Sequence, residues 1–367
     1  MFAAFAVAGL IFSLAGSTLA HDEIKSGQPG EKIERSFTVD PQAVVTLCVA
    51  SGTLKVRGWE KSEIRVRSID AIQIEFRRID RTKDTSKPAT RVDVMLIEKG
   101  SVPNPRRDCQ ALADVEMEVP SGAVVQVQTR DGDIFIAGVA GAYAGSQNGD
   151  IAIERVAKLV EAGSVGGSIS LRDSSGRVNL NSAGGGVEVF NVRGVTDEDT
   201  FEVGTVSGDI QLDRVSTPRI NAKTVSGTLM MSGPLVKSGN YGFTSMTGNM
   251  VLAMPPDASF QLNAKVSEKH SIISDFPLKY LNEPPKPPPA AAPPAVAPSK
   301  KAPEAKSKPP APKDKPPKAG PIVGPIMIER STVVVPYVLR RITAICGSGD
   351  ATISVASFGG TVRLKKI

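Results

Sequence analysis

The sequence predicts an all-β protein: a single-chain β-solenoid, or β-helix, of stacked rungs about 18–21 residues long. Three observations predict it. A Gly-x-φ-x-φ pattern (φ apolar) recurs with its key glycine at 132, 149, 167, 185, 208, 227 and 248, intervals of 17, 18, 18, 23, 19 and 21 residues. A second short alternating run lies between consecutive copies, so each period offers two strands and two turns. Aromatic residues make up only 5% of the 367, whereas glycines number 34. That balance suits an aliphatic core of short strands and tight turns, and it does not suit a helical bundle.

The elements follow in order. Residues 1–20 carry no charge and run from an apolar stretch (Phe2 to Leu14) into small residues, with Thr18 and Ala20 just ahead of His21. They read as a cleaved signal peptide, with an uncleaved anchor as the alternative because a positive leading region is missing. No later stretch approaches the roughly 20 apolar residues of a membrane span, so the mature chain is expected to be exported, soluble and without a span.

Residues 31–130 read as N-terminal β rungs and a cap. Apolar residues alternate at Val45/Leu47/Val49, Leu54/Val56, Ile64/Val66, Val92/Val94/Leu96, Val115/Met117/Val119 and Val125/Val127. A first motif copy, Ser51-Gly52-Thr53-Leu54-Lys55-Val56, precedes Gly58 and the only tryptophan, Trp59, which is expected to pack over the first rung. Segments 78–90 and 100–108 are polar and read as loops. Residues 131–282 hold the solenoid repeats. Stacking about 4.8 Å apart buries Ile134, Ile151, Ile169, Val187, Ile210, Leu229 and Met250 as one ladder. The second runs read as Ala157/Leu159/Glu161, Val178/Leu180/Ser182, Phe201/Val203/Thr205 and Ile220/Ala222/Thr224. Helix finds support only as a turn near Glu154–Leu159.

Residues 283–321 change character abruptly. Between Pro284 and Pro321 lie 15 of the 28 prolines and eight lysines against two acidic residues. This composition predicts a disordered, solvated Pro/Lys-rich linker. Its net charge of +6 equals that of the whole chain, so the folded part is neutral. The basic pI therefore gives no nucleic-acid surface, although the linker itself suits contact with anionic polymers. Residues 322–367 resume the signature at Gly349-Asp350-Ala351-Thr352-Ile353 and Gly360-Thr361-Val362. They read as C-terminal rungs, with the linker looping out between the penultimate and final ones. Lys365 and Lys366 would guard the last strand against edge pairing.

Sites are harder to find. The two histidines, His21 and His270, lack any nucleophile-elbow context, and no zinc spacing, HExxH or phosphate loop occurs. The chain is therefore expected to hold no catalytic, cofactor-binding or metal residues, and no cofactor. The polar position after each motif glycine (Asp133, Asp150, Ser168, Gly186, Asp209, Thr228, Asn249) would stack as a ladder. Calcium is one reading of it and turn chemistry the better one. Arg172-Asp173 and Asp213-Arg214 read as solvated turn charges. Cys48–Cys109 is the first disulfide pairing to test, with Cys346 left over; three small buried hydrophobes are the alternative.

The repeated Ser207-Gly208-Asp209-Ile210, Asp131-Gly132-Asp133-Ile134 and Asn148-Gly149-Asp150-Ile151 motifs, after an early Ser-Gly-Thr-Leu-Lys-Val-Arg-Gly-Trp (51–59), resemble the bacterial putative-adhesin domain family of unknown function. The resemblance spans about residues 35–275 and 340–367. It implies a β-solenoid of the cell envelope, with adhesion as the suggested role and no catalytic residues. The expected function is thus an exported, non-enzymatic β-solenoid that binds or scaffolds at the envelope in the periplasm, on the cell surface or outside. Expected partners are a cell-wall or surface polysaccharide or another envelope protein. The alternatives are a carbohydrate-active β-helix enzyme (polysaccharide lyase or hydrolase) and an accessory protein of envelope sensing.

Overall fold

The computed structural model describes residues 32–69, 73–80, 86–97, 109, 111–267, 271–281 and 339–367. The signal-peptide and linker readings, together with His21 and His270, lie outside the described residues. Every regular element in the described part is a β-strand. The strands form two mainly parallel sheets, A and B, that face each other across one continuous aliphatic core.

The N-terminal part is the irregular one. Strand β1 (Ile33–Ser51) is long because it turns a corner. Its first residues pair antiparallel with β3 (Glu63–Ser68) in sheet A, whereas the stretch from Val44 runs in sheet B. Asp40 holds the corner, its carboxylate accepting the Gln42 N–H at 2.8 Å. Strand β2 (Leu54–Trp59) follows in sheet A. The excursion β3, β4 (Gln73–Arg78) and β5 (Ala89–Ile97) then closes the end of the stack before β6 (Val115–Pro120). Chain order and spatial order part company here. Strand β1 sits between β5 (Leu47↔Val94) and the later β7 (Val124–Asp131; Leu47↔Val127), and β2 sits between β6 (Leu54↔Val115) and β8 (Ile134–Ala137; Leu54↔Ile134).

The regular stack follows. Strands β9 (Gly141–Ser146), β11 (Leu159–Ser164), β13 (Arg177–Ser182), β15 (Thr200–Thr205), β17 (Arg219–Thr224) and β19 (Asn240–Ser245) extend sheet B from β7. They alternate with β10 (Ile151–Glu154), β12 (Ile169–Ser175), β14 (Val187–Arg193), β16 (Ile210–Ser216), β18 (Leu229–Ser232) and β20 (Met250–Met254), which extend sheet A from β8. The predicted ladder forms as read: Ile134, Ile151, Ile169, Val187, Ile210, Leu229 and Met250 are in register and buried. Opposite it, sheet B contributes Ala142, Val160, Val178, Phe201, Ile220 and Tyr241. Burying each Ile, Leu or Val side chain stabilises by about 1.5–3 kcal/mol, so the core accumulates along the stack.

Two turns close each rung. The motif turn, from sheet B into sheet A, is tight enough that Gly149 lies over Gly132, and a methyl group there would overlap the Gly132 carbonyl. The opposite turn needs a left-handed residue, and Arg155, Asp173, Asn191 and Arg214 take φ of 48–54° at equivalent places. Arg155 in that conformation is why no helix forms near 154–159. The phase of one run also departs from expectation. Inward residues of β11 are Val160, Ala162 and Ser164, not Leu159 and Glu161, because Ser164 must face in to meet the turn.

The C-terminal end repeats the intercalation. Strands β21 (Phe260–Ser267) and β22 (Ile272–Ser274) lie near the end of the stack, with β23 (Lys279–Tyr280) and β24 (Leu339–Cys346) beyond β21 in sheet B. Strands β25 (Ala351–Ser357) and β26 (Val362–Lys366) do not extend the end. They enter between existing rungs: Ile353 pairs with Tyr241 and Leu262, and Val362 with Met250 and Ile272. The expectation that β26 is the last strand, guarded by Lys365 and Lys366, is thereby corrected. Its edge is covered by β22, and the Lys366 N–H donates to Asp275 Oδ2 at 3.3 Å.

Candidate functional site

The motif turns come first, because a ligand ladder was one reading of them. In the structure their aspartates are engaged with backbone. Asp133 Oδ1 accepts the Asp150 N–H at 2.9 Å, Asp150 Oδ1 accepts the Ser168 N–H at 2.7 Å, and Asp209 Oδ1 accepts the Thr228 N–H at 2.7 Å. Each carboxylate caps the next rung's backbone. A second ladder, which the glycine motif did not reveal, lies just inside. Ser146, Ser164 and Ser182 stand three residues before the turn glycine. Their hydroxyls accept the N–H of Gly149, Gly167 and Gly185 at 2.9–3.0 Å and donate to the carbonyls of Gly132, Gly149 and Gly167 at 2.9–3.2 Å. The sequence signal for it is Ser/Thr-x-x-Gly, present at 129, 146, 164, 182, 205, 224, 245 and 357. Among the described residues no group of three or more His, Cys, Asp or Glu could hold a metal ion.

On the outer face of sheet A several charges pair with one another. The Arg214 guanidinium lies over the Phe190 ring at 3.9 Å and near Asp213, and Arg172 reaches Glu188 at 4.0 Å. Arg172-Asp173 and Asp213-Arg214 are thus surface turn charges, as read. At the N-terminal end of this face Arg65 and Arg67 bind Glu34 and Glu118. The Arg67 guanidinium holds the Glu34 carboxyl below the usual carboxylate range. Trp59 is here too. It does not cap the core: it faces outward, half-buried, its Nε1–H donating to the Glu63 carbonyl at 2.7 Å, with Arg65 at 4.6 Å and Lys61 at 4.9 Å from its ring centroid.

Sheet B is different. Its outward positions stack in two columns. One reads Thr46, Gln126, Tyr143, Glu161, Asn179, Glu202 and Asn221, and the other Cys48, Gln128, Gly145, Gly163, Asn181, Gly204 and Lys223. Gln126, Gln128, Tyr143, Glu161, Glu202 and Lys223 make no side-chain hydrogen bond or ion pair with other described residues. Near β1 the face sinks into a depression of about 440 Å³, with Tyr143 and Glu161 beside the bare positions Gly145 and Gly163. At its end Cys48 is joined to Cys109, 61 residues away, the pairing expected from the sequence. Cys346 is free and buried, and burial pushes its thiol pKa up. The depression itself was not legible in the sequence. Outward polar residues of a strand carry no periodic signal until the register aligns them across rungs.

Fold and face together define a β-solenoid with a polar depression on the outer face of sheet B. Residues 106–272, a little under half of the chain, match the family model described as Toastrack DUF4097. The match is narrower than the resemblance read from the motifs, and it leaves out β1–β5 and β23–β26. No curated protein matches the chain significantly. Among solved structures, it is similar to a putative adhesin from Parabacteroides merdae at 11% identity, covering 62% of this chain and 90% of that one with a TM-score of 0.39. A putative adhesin from Parabacteroides distasonis gives 8% identity, 62% and 91% coverage and 0.39. A putative cell adhesion protein from Clostridium sporogenes gives 10%, 92% and 100%, and 0.19. Likeness at TM-scores this low says nothing about a binding site.

Proposed function

We propose that this chain is an exported, non-enzymatic β-solenoid that binds at the bacterial cell envelope through the outer face of sheet B. One observation carries the reading: on that face Gln126, Gln128, Tyr143 and Glu161 have no side-chain partner among the described residues and line a depression of about 440 Å³. Polar groups aligned every 4.8 Å or so give many weak contacts rather than one deep pocket. The Cys48–Cys109 bridge supports export, because disulfides persist in oxidising compartments. Among the described residues no helix is long and apolar enough to cross a membrane.

The test is an array of cell-wall polymers and surface glycans offered to the mature chain, to the chain lacking 283–321, and to Asn221→Trp on the sheet B face. Binding that survives removal of the segment and falls in the face variant supports the reading. Binding that needs only the Lys-rich segment overturns it. A carbohydrate-active enzyme is the second reading, because Glu161 and Glu202 stand on one column with Asn179 between them, about 10 Å apart by rung spacing. Shortening of any polymer on the array would favour that reading, and Glu161→Gln and Glu202→Gln would then abolish turnover.

A further inference from the structure

Resting on the sheet B reading, we infer that the depression beside Tyr143 is a subsite for an uncharged, hydroxyl-rich chain, a neutral polysaccharide, and that Gly145 and Gly163 are the residues that admit it. The glycines are the starting point. Neither has a left-handed backbone. A Cβ built on Gly145 comes no nearer than 3.7 Å to any neighbour, and one on Gly163 no nearer than 3.9 Å. The fold therefore does not call for glycine at either place, unlike Gly149 in the motif turn. Glycine inside a strand weakens it, and such a residue often marks close approach of a ligand. Side by side on β9 and β11, the two leave a clear floor next to the half-buried Tyr143 ring.

The lining fits hydroxyl groups. Gln126, Gln128 and Asn181 offer both donors and acceptors, the Tyr143 hydroxyl offers both, and Glu161 offers acceptors. Asn181 Nδ2 donates to Asn179 Oδ1 at 2.7 Å, which leaves an acceptor on Asn181 and a donor on Asn179 for a ligand. Thr46 Oγ1, at the edge of the depression, is enclosed and has no hydrogen-bond partner. A sugar hydroxyl both donates and accepts, so one chemical group matches every member of this set. The apolar faces of pyranose rings suit the Tyr143 ring.

Charge argues against the other polymers. No Lys or Arg lines the depression, whereas Glu161 does and Glu202 stands two rungs away. A phosphate- or carboxylate-rich chain would meet repulsion there. Beyond Glu161 the same outward column continues through Asn179, Glu202 and Asn221, which gives a chain of sugars, rather than a single ring, further polar groups to follow.

The experiment is calorimetric titration of the full mature protein with neutral hexose and N-acetylhexosamine oligomers of graded length, a polyuronate as the anionic control, and Tyr143→Ala and Gly163→Leu as variants. Affinity should rise with oligomer length. It should fall roughly tenfold in Tyr143→Ala, the scale of one aromatic contact, and vanish in Gly163→Leu with its melting temperature kept. Gln211→Leu, on sheet A, should bind as the unaltered chain does. Absence of binding to every neutral oligomer, stronger binding of the polyuronate, or unaltered binding by Gly163→Leu overturns the inference. If an envelope protein binds instead and is lost in Gly163→Leu, the sheet B reading stands and the glycan inference falls.

Discussion

At the scale of single residues, the glycines do two opposite things. Gly149 is required by the turn: Gly149→Ala forces the backbone apart and should destabilise by well over the roughly 1 kcal/mol typical of a substitution, read as a lower midpoint in urea. Gly163→Ala meets only an ordinary van der Waals contact, at 3.9 Å, and should change stability by no more than about 0.5 kcal/mol. Between these lies Ser164. Its hydroxyl serves the Gly167 N–H and the Gly149 carbonyl, so Ser164→Ala strands buried backbone groups and should cost about 1–3 kcal/mol. A midpoint unchanged from that of the unaltered chain would show that water serves those groups instead. The turn glycines were legible in the sequence because positive or crowded backbone leaves no other choice. The serines were visible but unread, since a hydroxyl facing inward looks, in one dimension, like any polar residue at a strand end.

At the scale of elements, register decides what a strand presents. Alternation in β2, β6, β7 and the repeats identified the inward residues, and β11 failed by one position because Leu159 is the larger apolar residue while Ser164 sets the phase. The end-closing strands depend on charge. Asp80 accepts from Arg78 at 2.7 Å and from the Thr90 N–H at 2.9 Å, tying β4 to β5. The Arg78 guanidinium first, then that N–H, hold its carboxyl below the ordinary range; Glu34 is lowered likewise by Arg67. Both titrate lower in the folded than in the unfolded chain. Their stabilisation is therefore complete above the unfolded value, roughly 4, and is lost as pH falls through it toward the folded values. The melting temperature should drop across that window, and Asp80→Asn should flatten the drop. Along β1, the Cys48–Cys109 bridge closes a 61-residue separation, for which loop-closure entropy gives about 4 kcal/mol. Cys109→Ser, with Cys48→Ser, should lower stability on that scale in calorimetry.

At the scale of the molecule, the stack was legible because one aliphatic ladder repeats at near-constant intervals, while its two ends were not. Spatial order there is set by which edges remain free, and no local pattern records that. The same insertion bears on how the chain assembles as it emerges. Until residues 339–367 are made, β19 offers a bare parallel edge and β21 is already available beside it. Pairing between them is register-compatible, since Tyr241 and Leu262 both align with Ile353 in the finished structure. The growing chain thus has a closure open to it that is one rung too short, and completion demands that β21 be displaced or held off until β25 arrives. Refolding of the whole chain should accordingly show a slow phase in far-UV circular dichroism, and recovery in a single fast phase would argue against the premature pairing. For a chain whose last strands fill an interior slot, timing becomes part of the fold.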